Sequence, residues 1–109
     1  MDALSAADHI LATNRAIPRG ETAAYGVVAQ RAGLPGRARM VARLLSQNDD
    51  PTLPWHRVLR ADGRSAFPPD TPHHREQLDR LRCEGVRIND QGRVRATKHA
   101  KSVDEEVWG

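Results

Sequence analysis

A Gly33-Leu34-Pro35-Gly36 tetrapeptide interrupts the middle of this chain, and no other feature restricts its fold as much. Two glycines and a proline within four residues stop a helix or strand from running through that point. The runs on either side must be separate elements joined by a tight turn. Before it, Tyr25, Val28, Ala29 and Ala32 fall at i, i+3, i+4 and i+7, with Thr22 placed to cap a helix N-terminus and Gly33 to end it. After it, Ala38, Val41, Ala42 and Leu45 repeat the pattern, while Arg39, Met40 and Arg43 point to the other face. Such a pair reads as a helix-turn-helix, whose second helix enters a groove of a duplex with its outer face basic and uncovered. Arg39 and Arg43, four residues apart, share that outer face.

The other elements are short. Leu4, Ala7, Ile10 and Leu11 mark a first helix that Pro18 and Gly20 bring to an end. Residues 49–54 form a Pro-containing loop, and His56 to Leu59 a short strand. Ala61-Asp62-Gly63 signals a turn, with Arg64 to Phe67 as the return strand. Pro68, Pro69 and Pro72 then bar regular structure. A helix over residues 73–84 carries Gln77, Leu78, Leu81 and Glu84 along one flank and stops at Gly85, and residues 86–94 make a hairpin turning at Asn89-Asp90-Gln91-Gly92. With 109 residues and few aromatics, the expectation is one small α/β, mainly helical, winged-helix-like domain over residues 1–97. Residues 98–109 follow as an acidic tail, and the terminus around Trp108 is taken as frayed.

Charge is segregated along the chain. Residues 31–48 carry Arg31, Arg37, Arg39 and Arg43 with no acidic residue, whereas Asp104, Glu105 and Glu106 cluster near the end. A basic contact face for a polyanion accounts for this, and a chance cluster of solvated arginines is the plain alternative. The single cysteine, Cys83, excludes an intramolecular disulfide and leaves no CxxC pair for zinc. His56, His73 and His74 lack the spacing and partners of a metal site, and His73 and His74 are expected in solvent. Asp2 and Asp8 stand where a signal peptide needs a basic start and an apolar run, and no stretch approaches the ~18 apolar residues of a membrane span. These features predict a soluble, cytoplasmic monomer, nucleoid-associated in a bacterium, with no cofactor, metal or membrane partner.

One segment is more specific. Pro54-Trp55-His56-Arg57-Val58 resembles the Pro-Cys-His-Arg-Val active-site motif of the O6-alkylguanine-DNA alkyltransferases, with the cysteine as the only mismatch. The similarity runs from about residue 4 to 95. It takes in Gly20-Glu21-Thr22 followed by Tyr25, Arg39 in an Ala-Arg-x-Val setting, Asn48, the Gly63 turn and a closing Glu84-Gly85-Val86. It corresponds to the C-terminal DNA-binding domain of the family's longer members.

In active members a thiolate attacks the alkyl carbon on guanine O6, the neighbouring His takes the thiol proton through water, and the Glu orients the His. An indole cannot do this, because its N–H is only a donor. Trp at this position is similar to the alkyltransferase-like proteins, which recognise the lesion without removing it. The resemblance implies a binder of double-stranded DNA containing O6-alkylguanine. Tyr25 would push on the phosphate 3′ to the target and rotate the nucleotide out. Arg39 would enter the duplex as a finger, with Arg37, Arg43 and Asn48 as further DNA contacts. Trp55 would wall a lesion pocket together with Pro54, Val58, His56, Arg57 and Glu84, and nucleotide excision repair factors would be the partners. Phe67-Pro68-Pro69 occupies a stretch where some relatives carry a basic residue, which leaves the upper wall and the preferred alkyl size open.

Plainer readings stand beside these. Tyr25 belongs to the apolar set of its helix, Trp55 fills a core as readily as it lines a pocket, and Arg39 serves equally as a generic phosphate contact. Cys83 as a substitute nucleophile, a base-processing activity through His56 and Glu84, and a sequence-specific helix-turn-helix regulator are the rival functions.

Overall fold

The computed structural model describes residues 5–94; Leu4, the boundary at residue 97, the acidic tail and Trp108 lie outside the described residues. The element order is α1 (Ala6–Arg15), β1 (Ala23–Ala24), α2 (Tyr25–Arg31), α3 (Ala38–Gln47), a 3-10 turn (Trp55–Arg57), β2 (Val58–Leu59) and α4 (Pro72–Cys83). The mainly helical α/β domain with a helix-turn-helix is the expected architecture.

Helix α1 opens with a capping box, in which Ser5 Oγ accepts from the Asp8 N–H and Asp8 accepts from the Ser5 N–H. Its face carries Ile10 into the core. Helix α2 ends in a Schellman motif: the Leu34 N–H donates to Ala29 O at 2.8 Å and the Gly33 N–H to Gln30 O at 3.0 Å. Gly33 supplies the required positive φ of 82°. Helices α2 and α3 pack directly on each other. Val28, Ala29, Val41 and Leu45 interlock there in the main cluster with Ile10, Leu53 and Val58. Leu59, Leu81, Val86 and Val94 form a second, smaller cluster under α4.

Five details differ from the sequence reading. Pro72 does not bar regular structure but opens α4 at its first position, where its missing N–H has no helical partner to lose. Thr22 does not cap α2; the helix begins at Tyr25 because Ala23 and Ala24 are extended and pair in parallel with Val58 and Leu59. Met40 is half-buried and packs on the main cluster instead of facing out with Arg39 and Arg43. The strand predicted from His56 is reduced to Val58–Leu59, since residues 55–57 coil into the 3-10 turn. Arg64 to Phe67 is no return strand. The Gly63 turn does close, with the Arg60 N–H donating to Arg64 O at 2.9 Å, but Arg64 then bridges antiparallel to Arg93. The final hairpin forms as expected, Ile88 bridging Val94 across the Asn89–Gly92 turn.

Candidate nucleic-acid interface

Apolar periodicity turns one face of α3 into the core, so its remaining residues must face outward. Arg37 stands at the N-cap, and Arg37, Arg39 and Arg43 are all exposed. Among the described residues none of the three is held in a salt bridge. Three long cations with no anionic partner among the described residues form the kind of surface that displaces counterions from a phosphate backbone.

Where the C-terminal half of α3 meets the Trp55 turn and the start of α4, a cavity of about 360 Å³ opens, bordered by Tyr25, Ser46, Asn48, Trp55, Phe67 and His73 among others. This lies within the ~300–1,000 Å³ range of small-molecule pockets. The Trp55 ring is half-buried and meets Phe67 edge-on at 5.8 Å and His73 at 6.4 Å. Phe67 and His73 stack on each other at 5.2 Å. The Arg80 guanidinium lies 5.6 Å over the indole. Burial raises the Tyr25 phenol above its ordinary pKa, so it stays protonated and able to donate. Asn48 Oδ1 is engaged by the Asp50 N–H at 2.8 Å. Its amide N–H₂ has no partner among the described residues.

Behind the indole lies a buried polar cluster. Arg57 donates to Glu84 from Nε at 3.0 Å and from Nη2 at 2.8 Å, and its Nη1 reaches Ile17 O at 2.9 Å. His56 Nε2 is 2.8 Å from Glu84 Oε2. Burial on its own would raise the Glu84 pKa, but hydrogen bonds from Arg57, His56 and the Gly20 N–H outweigh it and hold the carboxyl at about 2. Burial lowers the His56 pKa below its usual value, against the upward pull of Glu84. The imidazole is therefore neutral at pH 7, donating from Nε2, and Nδ1 is left buried without a partner among the described residues.

Of the residues singled out from sequence, Tyr25, Asn48 and Trp55 meet around the cavity. Arg37, Arg39 and Arg43 lie on the outward side of α3. Pro54, Val58, His56, Arg57 and Glu84 do not border the cavity; they form the support behind Trp55, and Val58 is wholly buried in the main cluster. His56 and Glu84 border a second, open groove of about 610 Å³ that adjoins the cavity at Glu76 and also contains the exposed Cys83. His73, expected in solvent, is exposed, yet it borders the Trp55 cavity together with Glu76. The signal was present: His73, Glu76 and Arg80 recur at i, i+3 and i+7, one stripe of α4. Asn14 was also overlooked. It is fully buried one turn beyond Ile10 and donates to Pro54 O at 2.9 Å.

A family model described as the DNA-binding domain of 6-O-methylguanine DNA methyltransferase matches residues 5–86. A DNA base-flipping protein of Vibrio parahaemolyticus is 31% identical over 91 residues, 83% of this chain and 89% of that one. A protein of the same description from Escherichia coli is 40% identical over 80 residues, 72% of this chain, and the chain spans only 60% of its length. Alkyltransferase-like protein 1 of Schizosaccharomyces pombe is 36% identical over 73 residues, covering 66% of this chain and 68% of that one. The crystal structure of S. pombe Atl1 in complex with damaged DNA containing O6-carboxymethylguanine superposes with a TM-score of 0.72 at 26% identity, over 89% of this chain and 93% of that one.

Proposed function

Because this chain belongs to the family of 6-O-methylguanine DNA methyltransferase DNA-binding domains, we propose that it detects O6-alkylguanine in double-stranded DNA and holds the flipped base without removing the alkyl group. The observation that carries this reading is the position of Trp55. Its half-buried ring walls a cavity beside the basic face of α3, at the place in the Pro-x-His-Arg-Val motif where a transferase needs sulfur. An indole offers a flat apolar surface to a base and its alkyl substituent, and no nucleophile.

Each step follows from the chemistry of its residue. Helix α3 docks in a groove, and Arg37 and Arg43 neutralise phosphates. Tyr25 presses on the backbone at the target, and Arg39 fills the space that the base leaves. Unstacking costs a few kcal/mol, less where O6-alkylation has already weakened pairing with cytosine. Lesion preference thus begins in the DNA and is completed by the cavity. A protein that keeps the lesion intact acts by handing it on. Nucleotide excision repair factors are the partners in this reading, with the chain working as a monomer on chromosomal DNA in the cytoplasm.

Cys83 borders the second groove and does not line the Trp55 cavity, which weighs against the rival of transfer to that thiol. The deciding experiment is a binding titration at fixed salt with duplexes that differ by one O6-methyl group, followed by digestion of the bound DNA. Tighter binding of the methylated duplex with the methyl group still on guanine is expected. Methylated protein, or equal binding of both duplexes, overturns the reading.

A further inference from the structure

Two of the aromatic walls of the Trp55 cavity, Trp55 and Phe67, are joined by a buried chain of hydrogen bonds that the proposed function does not use. Gln77 on α4 is fully buried, and its Nε2 donates to His56 O at 3.2 Å and to Val58 O at 2.9 Å. Both amide hydrogens are thereby spent on the segment that carries Trp55. On the other side of the same amide, Gln77 Oε1 accepts from Ser65 Oγ. Ser65, itself buried, accepts at Oγ from the Phe67 N–H at 3.1 Å. The relay therefore begins at the main chain just after Trp55 and ends at the main chain of Phe67, the ring that meets Trp55 edge-on.

A buried network whose donors and acceptors are all engaged has one low-energy arrangement. Recognition sites need their walls held to within about 0.5 Å. A leucine or methionine at position 77 would fill a similar volume beneath α4 but would leave both segments free to move apart. We infer that Gln77 and Ser65 are positioning residues that fix how Phe67 sits against Trp55, and so select which O6-substituents the cavity accepts. This rests on the reading that the cavity receives an O6-alkylguanine.

The test uses the full chain with Trp108→Phe, which leaves Trp55 as the one tryptophan of the two in the sequence. Gln77→Met removes the whole relay, Ser65→Ala frees Phe67 and takes the donor from Gln77 Oε1 while leaving the bonds to His56 O and Val58 O, and Ser65→Thr keeps the hydroxyl. Binding to duplexes carrying guanine, O6-methylguanine or O6-benzylguanine is measured at fixed salt and at a temperature where each variant is folded, alongside Trp55 emission. Gln77→Met and Ser65→Ala are expected to reduce the preference for O6-methylguanine over guanine about fivefold to tenfold, to flatten the distinction between methyl and benzyl, and to leave binding of undamaged duplex within about twofold. Ser65→Thr should restore the parent preference. If Gln77→Met does not fold, Ser65→Ala decides alone. A lowered melting temperature with unchanged preferences and unchanged Trp55 emission overturns the inference. A parent protein that fails to distinguish the three duplexes overturns the functional reading instead.

Discussion

Helices α2 and α3 and the Trp55 turn are adjacent in space and built on opposite plans. The helix pair is joined by the six residues 32–37 and buries only apolar side chains, Val28, Ala29, Val41 and Leu45. Its charges, Arg31, Arg37, Arg39 and Arg43, are all exposed. The Trp55 turn rests on polar groups from far along the chain. Asn14 grips Pro54 across 40 residues, Gln77 grips Val58 across 19, and Glu84 binds Arg57 across 27 while accepting from Gly20 across 64. In the first region the side chains available to DNA contribute little to the fold. In the second, shape and stability are the same hydrogen bonds. Substitutions should therefore separate binding from folding on α3 and fail to separate them around Trp55.

The largest effect is expected from Arg57→Ala. It leaves a carboxylate whose side chain is only 7% exposed with His56 and the Gly20 N–H as its remaining partners among the described residues, and loss of one partner of a buried ion pair destabilises by about 3–5 kcal/mol. Urea denaturation measures it, and a loss below about 1 kcal/mol would break the contrast between the regions. Acid should expose the same cluster. The folded His56 pKa lies below 6.5, so the unfolded chain takes up that proton first and stability declines once the pH drops through 6.5. Glu84 adds a second decline, from its ordinary 4.5 down to about 2, where the stabilisation it gives at higher pH is lost. The urea midpoint followed against pH should fall on acidification, and Glu84→Gln should flatten the lower limb. A midpoint that rises toward pH 3 contradicts both shifts.

Gly63→Ala is expected to have an intermediate effect. Gly63 has φ of 82°, and a Cβ there would sit 3.0 Å from Val94 O. A penalty of about 1–3 kcal/mol is expected by thermal or urea denaturation. Arg43→Ala should have the smallest effect on folding, within about 0.5 kcal/mol, while reducing the salt slope of DNA binding by about one. Arg39→Ala should be equally neutral for folding but lose affinity selectively for the lesion duplex. Destabilisation by either arginine variant would show that the α3 surface is less independent of the core than its packing implies.

The difference in plan also explains what could be read from sequence. Helices α1 to α4 follow from local apolar periodicity with glycine and proline stops, because that information lies within one or two turns of chain. The motif at residues 54–58 was legible by resemblance, and Tyr25, Asn48 and Trp55 do come together. The support was not legible. Asn14 looks like an ordinary polar helical residue until Pro54 is seen against it, and nothing within 35 residues of Val58 announces its pairing with Ala23. The same pairing displaced the expected Thr22 cap, since main-chain bonds to β2 outweighed a local side-chain preference. Met40 was misplaced because a strip of three outward residues ignores how far a flexible thioether reaches around a helix.

That two-residue parallel pairing has a mechanical consequence. Ala24 immediately precedes Tyr25, and Val58 follows Trp55 by one turn, so main-chain bonds clamp together the side chains assigned to the start and the end of base extrusion. In this reading the protein works as a rigid jig. The nucleotide travels between two fixed posts, and the bending and twisting needed to get it there are borne by the double helix.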